Sequence, residues 1–272
     1  MNTILVPTDL SPAAQNATNY AGRLCKELGA KMILLHVYML PVPVAEMPYI
    51  MVTPDEMHKA GEDGLRKEAD RVAGSLGIDI EWLVRLGLAS DEIRDIEKER
   101  HIDLVVMGMK GGGQIDQIIG STTSAVVRKS HNAVLVVPSV ARFTSLQSVC
   151  YATDFSYQMN LTCFQSLKLL VNHFKSQLSV VYISKSGKVM SPDQIAGKQR
   201  LEPVLNEFVY SHHTVEANDI EHGLQQFIEA QSPDMLAMVI HKHNVFERLF
   251  GTHHTMTMMY QIRIPLLILQ DK

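Results

Sequence analysis

Short runs of Val, Ile and Leu alternate along the chain with longer stretches in which apolar residues recur every three or four positions. The short runs predict β-strands, whereas the three- and four-residue spacing predicts helices with one buried face. Because the runs are almost continuously apolar, we expect strands that are covered on both faces, as in a parallel sheet flanked by helices. The predicted strands lie near residues 2–7, 31–38, 79–85, 102–107 and 133–137, and in the second half near 147–152, 178–183, 208–215, 234–240 and 265–269.

The first helix has a clear start in the sequence. Ser11 precedes Pro12, and a serine followed by proline at the first helical position is typical of a helix N-terminus. From there Ala17, Ala21 and Leu24 recur on one helical face. Further helices of the first half are predicted near residues 54–76, 89–100 and 120–130.

The chain contains two diverged copies of one pattern. Residues 4–11 read I-L-V-P-T-D-L-S and residues 149–156 read V-C-Y-A-T-D-F-S, so an apolar run ending in T-D-x-S opens each half. Further on, D-L-V-V-M at 103–107 corresponds to D-M-L-A-M at 234–238. This repeat predicts two tandem α/β domains, each with a doubly wound, mainly parallel five-stranded sheet of Rossmann-like type. The predicted domains are residues 1–140 and 146–272.

Composition and charge exclude several classes of protein. Hydrophobic residues make up 46% and charged residues 20%, a balance typical of folded globular proteins. A formal net charge of −4 without a long basic run argues against nucleic-acid binding, and no apolar stretch approaches the ~18 residues of a membrane span. Cys25, Cys150 and Cys163 are an odd set without C-x-x-C spacing, which favours a reducing compartment and buried thiols. With no signal peptide recognisable at its start, the protein is predicted to be cytoplasmic.

Three segments that could bind a ligand follow predicted strands. They are Pro7-Thr8-Asp9, Val37, and the glycine-rich run 108–113, which leads to Gly120 and Ser121 at the start of a helix. In open α/β sheets, ligands bind beyond the carboxyl ends of the strands, where an acidic side chain can accept hydrogen bonds from ribose. Unpaired N–H groups in a glycine-rich loop and at a helix N-terminus suit phosphate. The pattern indicates a mononucleotide site; alternatively, the glycines serve turns and Asp9 caps the first helix.

At these residues the sequence resembles the universal stress protein family in its tandem two-domain form. The resemblance rests on V-P-T-D-x-S at residues 6–11, His36-Val37, Arg85-x-Gly87, D-L-V-V-M-G at 103–108 and the glycine motif, and it covers essentially the whole chain. It implies a fold similar to that of the adenine nucleotide alpha hydrolases. Family members that bind ATP carry G-x2-G-x9-G-[ST], whereas this chain has eight residues between Gly111 and Gly120.

The resemblance implies a nucleotide-binding role for residues of all three segments. The end of the first strand would line the adenosine, with the Asp9 carboxylate on the ribose, and the ends of the second and fourth strands would lie near the adenine. Gly108 would meet the ribose or the phosphates, and the groups that follow it would hold the phosphates of ATP or AMP, with or without Mg²⁺. Lys110 would add a positive charge or remain a solvated loop residue. The implied nucleotide-binding residues are Pro7, Thr8, Asp9, Val37, Met107, Gly108, Gly111, Gly120, Ser121 and Thr122.

The second copy departs from this motif. Where the first copy has its first two motif glycines, the second has Val239 and Lys242, while Asp154, Gly251 and Thr252 remain. A valine side chain blocks the close backbone approach that glycine permits. We therefore expect the second domain to have lost nucleotide binding and to act as a packing or regulatory partner.

Histidines near the second copy's loop raise the question of a metal. His241, His243, His253 and His254 could supply imidazole ligands to a transition metal. No Cys or carboxylate nearby completes a recognised spacing, so solvated loop histidines are predicted and no metal site is assigned.

Two functions remain open. The first is a cytoplasmic, adenine-nucleotide-binding stress protein with a regulatory role, in which bound phosphate orders the loop 108–122. The second is a nucleotide-free scaffold or chaperone-like stress protein, which the shortened glycine spacing favours. No set of residues for phosphoryl transfer converges, so no catalytic residue is predicted and slow ATP hydrolysis is the most that we expect.

The resemblance also implies how the domains associate. In the family the last strand of one domain commonly pairs or packs with that of another, so residues 134–137 and 266–269 would form an interface inside one chain, an intrachain pseudo-dimer. The connection at 138–145 is too short for a flexible tether. A homodimer of two chains stays open, and the apolar segment 39–53 would cover the site, meet a partner or fold against its own domain.

Overall fold

The computed structural model describes residues 1–40, 53–109, 121–155, 159–185, 189–240 and 263–271. Within these ranges strands and helices alternate, as the hydrophobic pattern predicts. The first half contains β1 (Thr3–Pro7), α1 (Pro12–Leu28), β2 (Lys31–Tyr38), α2 (Pro54–Leu76), β3 (Ile80–Leu86), α3 (Ala89–Glu99), β4 (Leu104–Gly108), α4 (Ser121–Lys129) and β5 (Ala133–Val137). The second half contains β6 (Ser148–Ala152), a 3-10 helix (Leu161–Phe164), α5 (Gln165–Phe174), β7 (Gln177–Lys185), α6 (Pro192–Leu205), β8 (Tyr210–Ala217), α7 (Ile220–Gln231), β9 (Met235–Ile240) and β10 (Leu266–Gln270).

The predicted boundaries fall within two residues of the observed ones, and one of the two-residue differences has a clear local cause. Strand β8 was expected from residue 208 but begins at Tyr210. The N–H of Phe208 donates to the carbonyl of Leu205 at 2.9 Å, and its side chain is buried. Phe208 therefore belongs to the turn after α6. Its apolar side chain packs in the core although the residue lies before the strand begins.

The strands form one sheet of ten, in the order β3-β2-β1-β4-β5-β10-β9-β6-β7-β8. Each half is parallel and doubly wound, because β1 lies between β2 and β4, and β6 lies between β7 and β9. The halves join through β5 and β10, which pair antiparallel with Leu135 opposite Leu267. The five-stranded sheets predicted for the halves thus continue into each other, since this pairing satisfies backbone groups that two edge strands would leave open.

Hydrophobic cores cover both faces of this sheet. Helices α1, α2, α5 and α6 pack on one face, and α3, α4 and α7 pack on the other. At the junction, Leu135 and Leu267 face the first group, whereas Val134 and Ile268 face the second, and all four are fully buried. No helix in the described ranges combines the length and apolarity needed to cross a bilayer.

The two halves repeat each other in hydrogen bonding as well as in sequence. Asp103, just before β4, accepts hydrogen bonds through Oδ2 from the N–H groups of Asn2 and Thr3 at 2.5 and 3.0 Å. Asp234, just before β9, accepts through Oδ2 from the N–H groups of residues 147–148 at 2.8 and 2.9 Å. An equivalent aspartate therefore fixes the start of the central strand in each half, β1 in the first and β6 in the second.

Candidate functional site

The predicted site residues lie at the carboxyl edge of the first half of the sheet. Pro7 ends β1 and Gly108 ends β4, the two neighbouring strands between which the strand order reverses, and Val37 lies near the end of β2. This is the position at which doubly wound sheets bind ligands. Gly111, Gly120 and Lys110 lie outside the described residues, as does most of the segment 39–53.

The turn after β1 is held by the backbone and hydroxyl of Thr8. Its N–H donates to the carbonyl of Leu35 in β2 at 2.8 Å, which extends the β1–β2 pairing by one residue. Its Oγ1 accepts a hydrogen bond from the N–H of Leu10 at 3.0 Å, and Leu10 has a left-handed backbone with φ of 63°. Thr8 itself is buried, so its predicted contact with adenosine would involve little of its side chain.

Asp9 is exposed at the tip of this turn. Its Oδ1 accepts a hydrogen bond from the N–H of Ser11 at 3.0 Å, and no hydrogen bond reaches its Oδ2 from the part of the chain that the structure describes. The cap of α1 is Ser11, which accepts from the N–H of Ala14 at 3.3 Å. The alternative role for Asp9 as the helix cap is therefore wrong, and one of its carboxylate oxygens remains open for a ligand.

Gly108 lies against the first turn of α1. A Cβ at this position would stand 2.8 Å from the carbonyl oxygen of Ala13, which is too close for any side chain. The carbonyl of Gly108 accepts a hydrogen bond from Oγ1 of Thr123 in α4 at 3.3 Å. Glycine is thus required here for helix packing, and the contact with Thr123 brings the first turn of α4 next to the end of β4.

Ser121 and Thr122 are exposed in that first turn of α4. The initial N–H groups of a helix have no partner within it and favour anions. Two hydroxyl-bearing residues are therefore exposed in the helical turn that Thr123 holds beside Gly108. Met107 is buried at 5% exposure, whereas Val37 is half-buried, and both pack in the cluster beneath α3 and α4. Of the two residues expected near adenine, Val37 offers a ligand the larger surface.

The second half keeps the turn but not the surroundings. Thr153 Oγ1 accepts from the N–H of Phe155 at 3.0 Å, and Phe155 has φ of 55°, which matches Thr8 and Leu10. The Phe155 ring, however, is buried against Tyr182 at a centroid distance of 5.3 Å, and Lys198 Nζ lies 5.9 Å above it. Asp154 is exposed, as Asp9 is.

The valine at the position of Gly108 coincides with a later helix start. Val239 is buried in the core on the face covered by α1 and α5. In the first half the helix begins at Pro12, three residues after Asp9, whereas in the second half the 3-10 helix begins at Leu161, seven residues after Asp154. The close helix contact that Gly108 permits has no counterpart among the described residues of the second half.

The remaining second-half predictions fall outside the described residues. These are Lys242, Gly251, Thr252 and the histidines at 241, 243, 253 and 254. Among the described residues, no group of three or more His, Cys, Asp or Glu side chains is arranged to hold a metal ion.

Sequence reasoning assigned no role to two residues that shape this edge. Thr123 follows the predicted hydroxyl pair directly, but only the structure shows that its hydroxyl turns inward. His36 appears in the His36-Val37 motif, and its Nδ1 lies 2.9 Å from the carbonyl oxygen of Thr8. The sequence signal for His36 was its position directly before Val37, a residue predicted to contact the ligand.

Comparisons with known proteins agree with this architecture. The family model described as universal stress protein family matches residues 1–138. A universal stress protein of Synechocystis sp. is 33% identical over 138 residues, covering 50% of this chain and 85% of that protein. One from Methanocaldococcus jannaschii is 28% identical over 138 residues, covering 49% of this chain and 80% of that protein.

A solved structure extends the similarity in fold to both halves. The crystal structure of a universal stress protein from Archaeoglobus fulgidus covers 100% of this chain and 99% of its own, with a TM-score of 0.76 and 20% identity. The match to residues 1–138 spans half of the chain and includes β1, β2 and β4 with the site at their ends. The chain belongs to the universal stress protein family.

Proposed function

We propose that the first half binds one adenine nucleotide, ATP or AMP, and that the protein acts as a regulatory stress protein in the cytoplasm. One observation carries this proposal: the open carboxylate oxygen of Asp9 and the exposed first turn of α4 lie at the same strand-order reversal, with α4 tied to Gly108 through Thr123. A carboxylate suits ribose hydroxyls, and helix N–H groups suit phosphate.

The proposed roles follow from position along this edge. Asp9 accepts hydrogen bonds from the ribose, Val37 and the small exposed part of Met107 contact the base, and Pro7 and Thr8 support the adenosine. The phosphates bind at the glycine motif and the start of α4, where Mg²⁺ would share their charge when present. Gly108 contacts the ribose or the phosphates, and the proposed phosphate-binding residues are Gly111, Gly120, Ser121 and Thr122.

The second half serves as a packing or regulatory partner without nucleotide. Val239 replaces glycine where the strand would have to approach a helix or a ligand, and the buried Phe155 ring occupies space beside the Thr153–Asp154 turn. We treat residues 1–140 and 146–272 as two domains that form an intrachain pseudo-dimer, which the β5–β10 pairing supports.

A second candidate is a nucleotide-free scaffold or chaperone-like protein. Its support is an apolar surface at the ends of β2 and β3, where Met39 is 59% exposed and Leu88 56% exposed, with Leu40 and Leu86 beside them. Exposed apolar surface of this kind is typical of sites that meet other proteins. This function would not require an intact phosphate loop.

Calorimetric titration of the purified protein separates the two candidates. The protein, verified free of carried-over ligand, is titrated with ATP, AMP and GTP with and without Mg²⁺, and its thermal unfolding is followed in parallel. Saturable binding near one adenine nucleotide per chain, with a raised melting temperature, is expected, because a ligand specific to the folded state stabilises it by about 2.7 kcal/mol at a hundredfold excess over Kd. If no nucleotide gave binding heat or a shift in melting temperature, the nucleotide-binding function would be rejected in favour of the scaffold function.

A further inference from the structure

The imidazole of His36 connects the turn after β1 to helix α2. Its Nδ1 lies 2.9 Å from the carbonyl oxygen of Thr8, and because a carbonyl can only accept, Nδ1 must carry the proton. On its other side the ring lies against Gly61 of α2, where a Cβ would stand 3.0 Å from the imidazole Cδ2. The ring is therefore held between the turn and the helix.

This hydrogen bond completes the fixation of Thr8. The N–H of Thr8 donates to Leu35, its Oγ1 accepts from Leu10, and its carbonyl accepts from His36. Its N–H, hydroxyl oxygen and carbonyl oxygen all have partners: Leu35 and His36 are consecutive residues of β2, and Leu10 belongs to the turn itself. The direction in which the chain leaves Thr8, and with it the placement of Asp9, depends on these three bonds.

Helix α2 has two glycines where it packs against the turn, Gly61 beside His36 and Gly64 beside Leu10. Leu10 has the left-handed backbone that non-glycine residues seldom adopt, and its side chain lies against Gly64, where a Cβ would stand 2.5 Å from the Leu10 Cδ1. Gly61 and Gly64 are spaced three residues apart, on one helical face. Glycine is unfavourable inside a helix, so the pair is explained by the room it gives to His36 and Leu10.

The second half provides an internal comparison, because the same turn is held there by a different donor. Tyr182 occupies the position that corresponds to His36, and its hydroxyl accepts a hydrogen bond from Nε2 of Gln194 at 3.2 Å. The same Nε2 also donates to the carbonyl of Asp154 at 3.2 Å. The donor thus comes from α6, and it holds the aspartate rather than the preceding threonine.

We propose that His36 is a positioning residue for the nucleotide site: by donating to the Thr8 carbonyl it orients the turn so that the Asp9 carboxylate faces the ribose. The effect on affinity rests on the proposed function, whereas the effect on the turn does not. The donor is what matters, so a side chain of similar size without one does not replace His36.

The test compares His36→Leu and His36→Ala, which remove the donor, with His36→Asn, whose amide keeps a donor near the place of Nδ1. Tyr182→Leu is the matched control in the second half. Hydrogen exchange of the Leu10 and Ser11 amides is measured without nucleotide, and the Kd for ATP is measured by calorimetry. The donor-less variants are expected to exchange faster at both amides and to raise Kd about fivefold to tenfold, as the loss of one hydrogen bond predicts. His36→Asn and Tyr182→Leu should remain close to wild type in both readouts.

The proposal would be overturned if the Leu10 and Ser11 amides exchanged as slowly in His36→Leu and His36→Ala as in the wild type. Faster exchange in these variants with an unchanged Kd for ATP would also overturn it. Equal weakening by Tyr182→Leu would show general destabilisation and would also overturn it. Absence of nucleotide binding by the wild-type protein would refute the proposed function instead, and the exchange rates alone would then decide whether His36 holds the turn.

Discussion

The backbone of Gly108 lies so close to Ala13 that a Cβ on residue 108 would stand 2.8 Å from the Ala13 carbonyl oxygen. The end of β4 and the first turn of α1 are thereby held together at the edge where the nucleotide is proposed to bind. In the second half the corresponding residue is Val239, and the helix begins later. Among the described residues, the half with glycine at this position has the first turn of its helix against the strand end, and the half with valine shows no equivalent contact.

The substitution Gly108→Ala tests this contact. The new methyl group would clash with helix backbone, which has little room to shift, so we expect a loss of about 1–3 kcal/mol in the free energy of unfolding. The matched control is Gly74→Ala in α2, where a Cβ would meet nothing within 4 Å; it should stabilise the protein by about 0.4–1 kcal/mol. Urea unfolding of both variants measures the difference, and equal effects would show that the contact is not tight.

A second prediction concerns Asn16, a buried polar residue of α1. Its Nδ2 donates to the carbonyls of Pro138 and Ala141 at 2.9 and 3.1 Å, and its Oδ1 accepts from Arg142. Asn16→Ala would leave these buried groups without their partner and should cost about 2 kcal/mol of stability. Arg23→Ala on the exposed side of the same helix is the control, expected within about 0.5 kcal/mol of wild type. If Asn16→Ala left the midpoint of chemical denaturation unchanged, the role of Asn16 in anchoring the segment after β5 would be contradicted.

Much of this fold was accessible from sequence because the strands are nearly continuous apolar runs and T-D-x-S marks the start of each half. The cap at Ser11 and the helix beginning at Pro12 followed from two adjacent residues. Asn16 was not accessible, because a polar residue in a helix is ordinarily solvated and its partners lie more than a hundred residues away. The inward hydroxyl of Thr123 and the ring of Phe155 were missed for the same reason: their burial depends on neighbours that local periodicity does not specify.

A third prediction tests the junction between the halves. Leu135 and Leu267 lie opposite each other in the antiparallel pair and are fully buried. Leu267→Ala should lower stability by about 2–5 kcal/mol, and a double-mutant cycle with Leu135→Ala should give a coupling of about 0.5–3 kcal/mol. Leu169→Ala, at a position 38% exposed, is the control and should have a much smaller effect. Strictly additive effects at 135 and 267 would argue against their contact in solution.

A fourth prediction concerns the thiols. Cys25 and Cys150 are fully buried, as predicted, whereas Cys163 is half-buried. Burial raises the pKa of each thiol to about 12, with a smaller contribution from the Asp271 charge at Cys163. Since the thiolate is the reactive form, none should react appreciably with a thiol reagent at pH 8 in the folded protein. All three should react after denaturation; rapid labelling of a native thiol would contradict this.

The central claim is that one nucleotide binds, and that it binds in the first half. The most direct test is calorimetric titration with ATP of Asp9→Ala, Gly111→Lys and Asp154→Ala beside the wild type, with melting temperatures to verify that each variant is folded. Both Asp side chains are exposed and follow a threonine in matching turns, so Asp154→Ala is the control for the removal of an exposed carboxylate from such a turn. The account predicts about one nucleotide per chain, lost or strongly weakened in Asp9→Ala and Gly111→Lys and unchanged in Asp154→Ala. Equal loss in both alanine variants, two nucleotides per chain, or unimpaired binding by Asp9→Ala would contradict it.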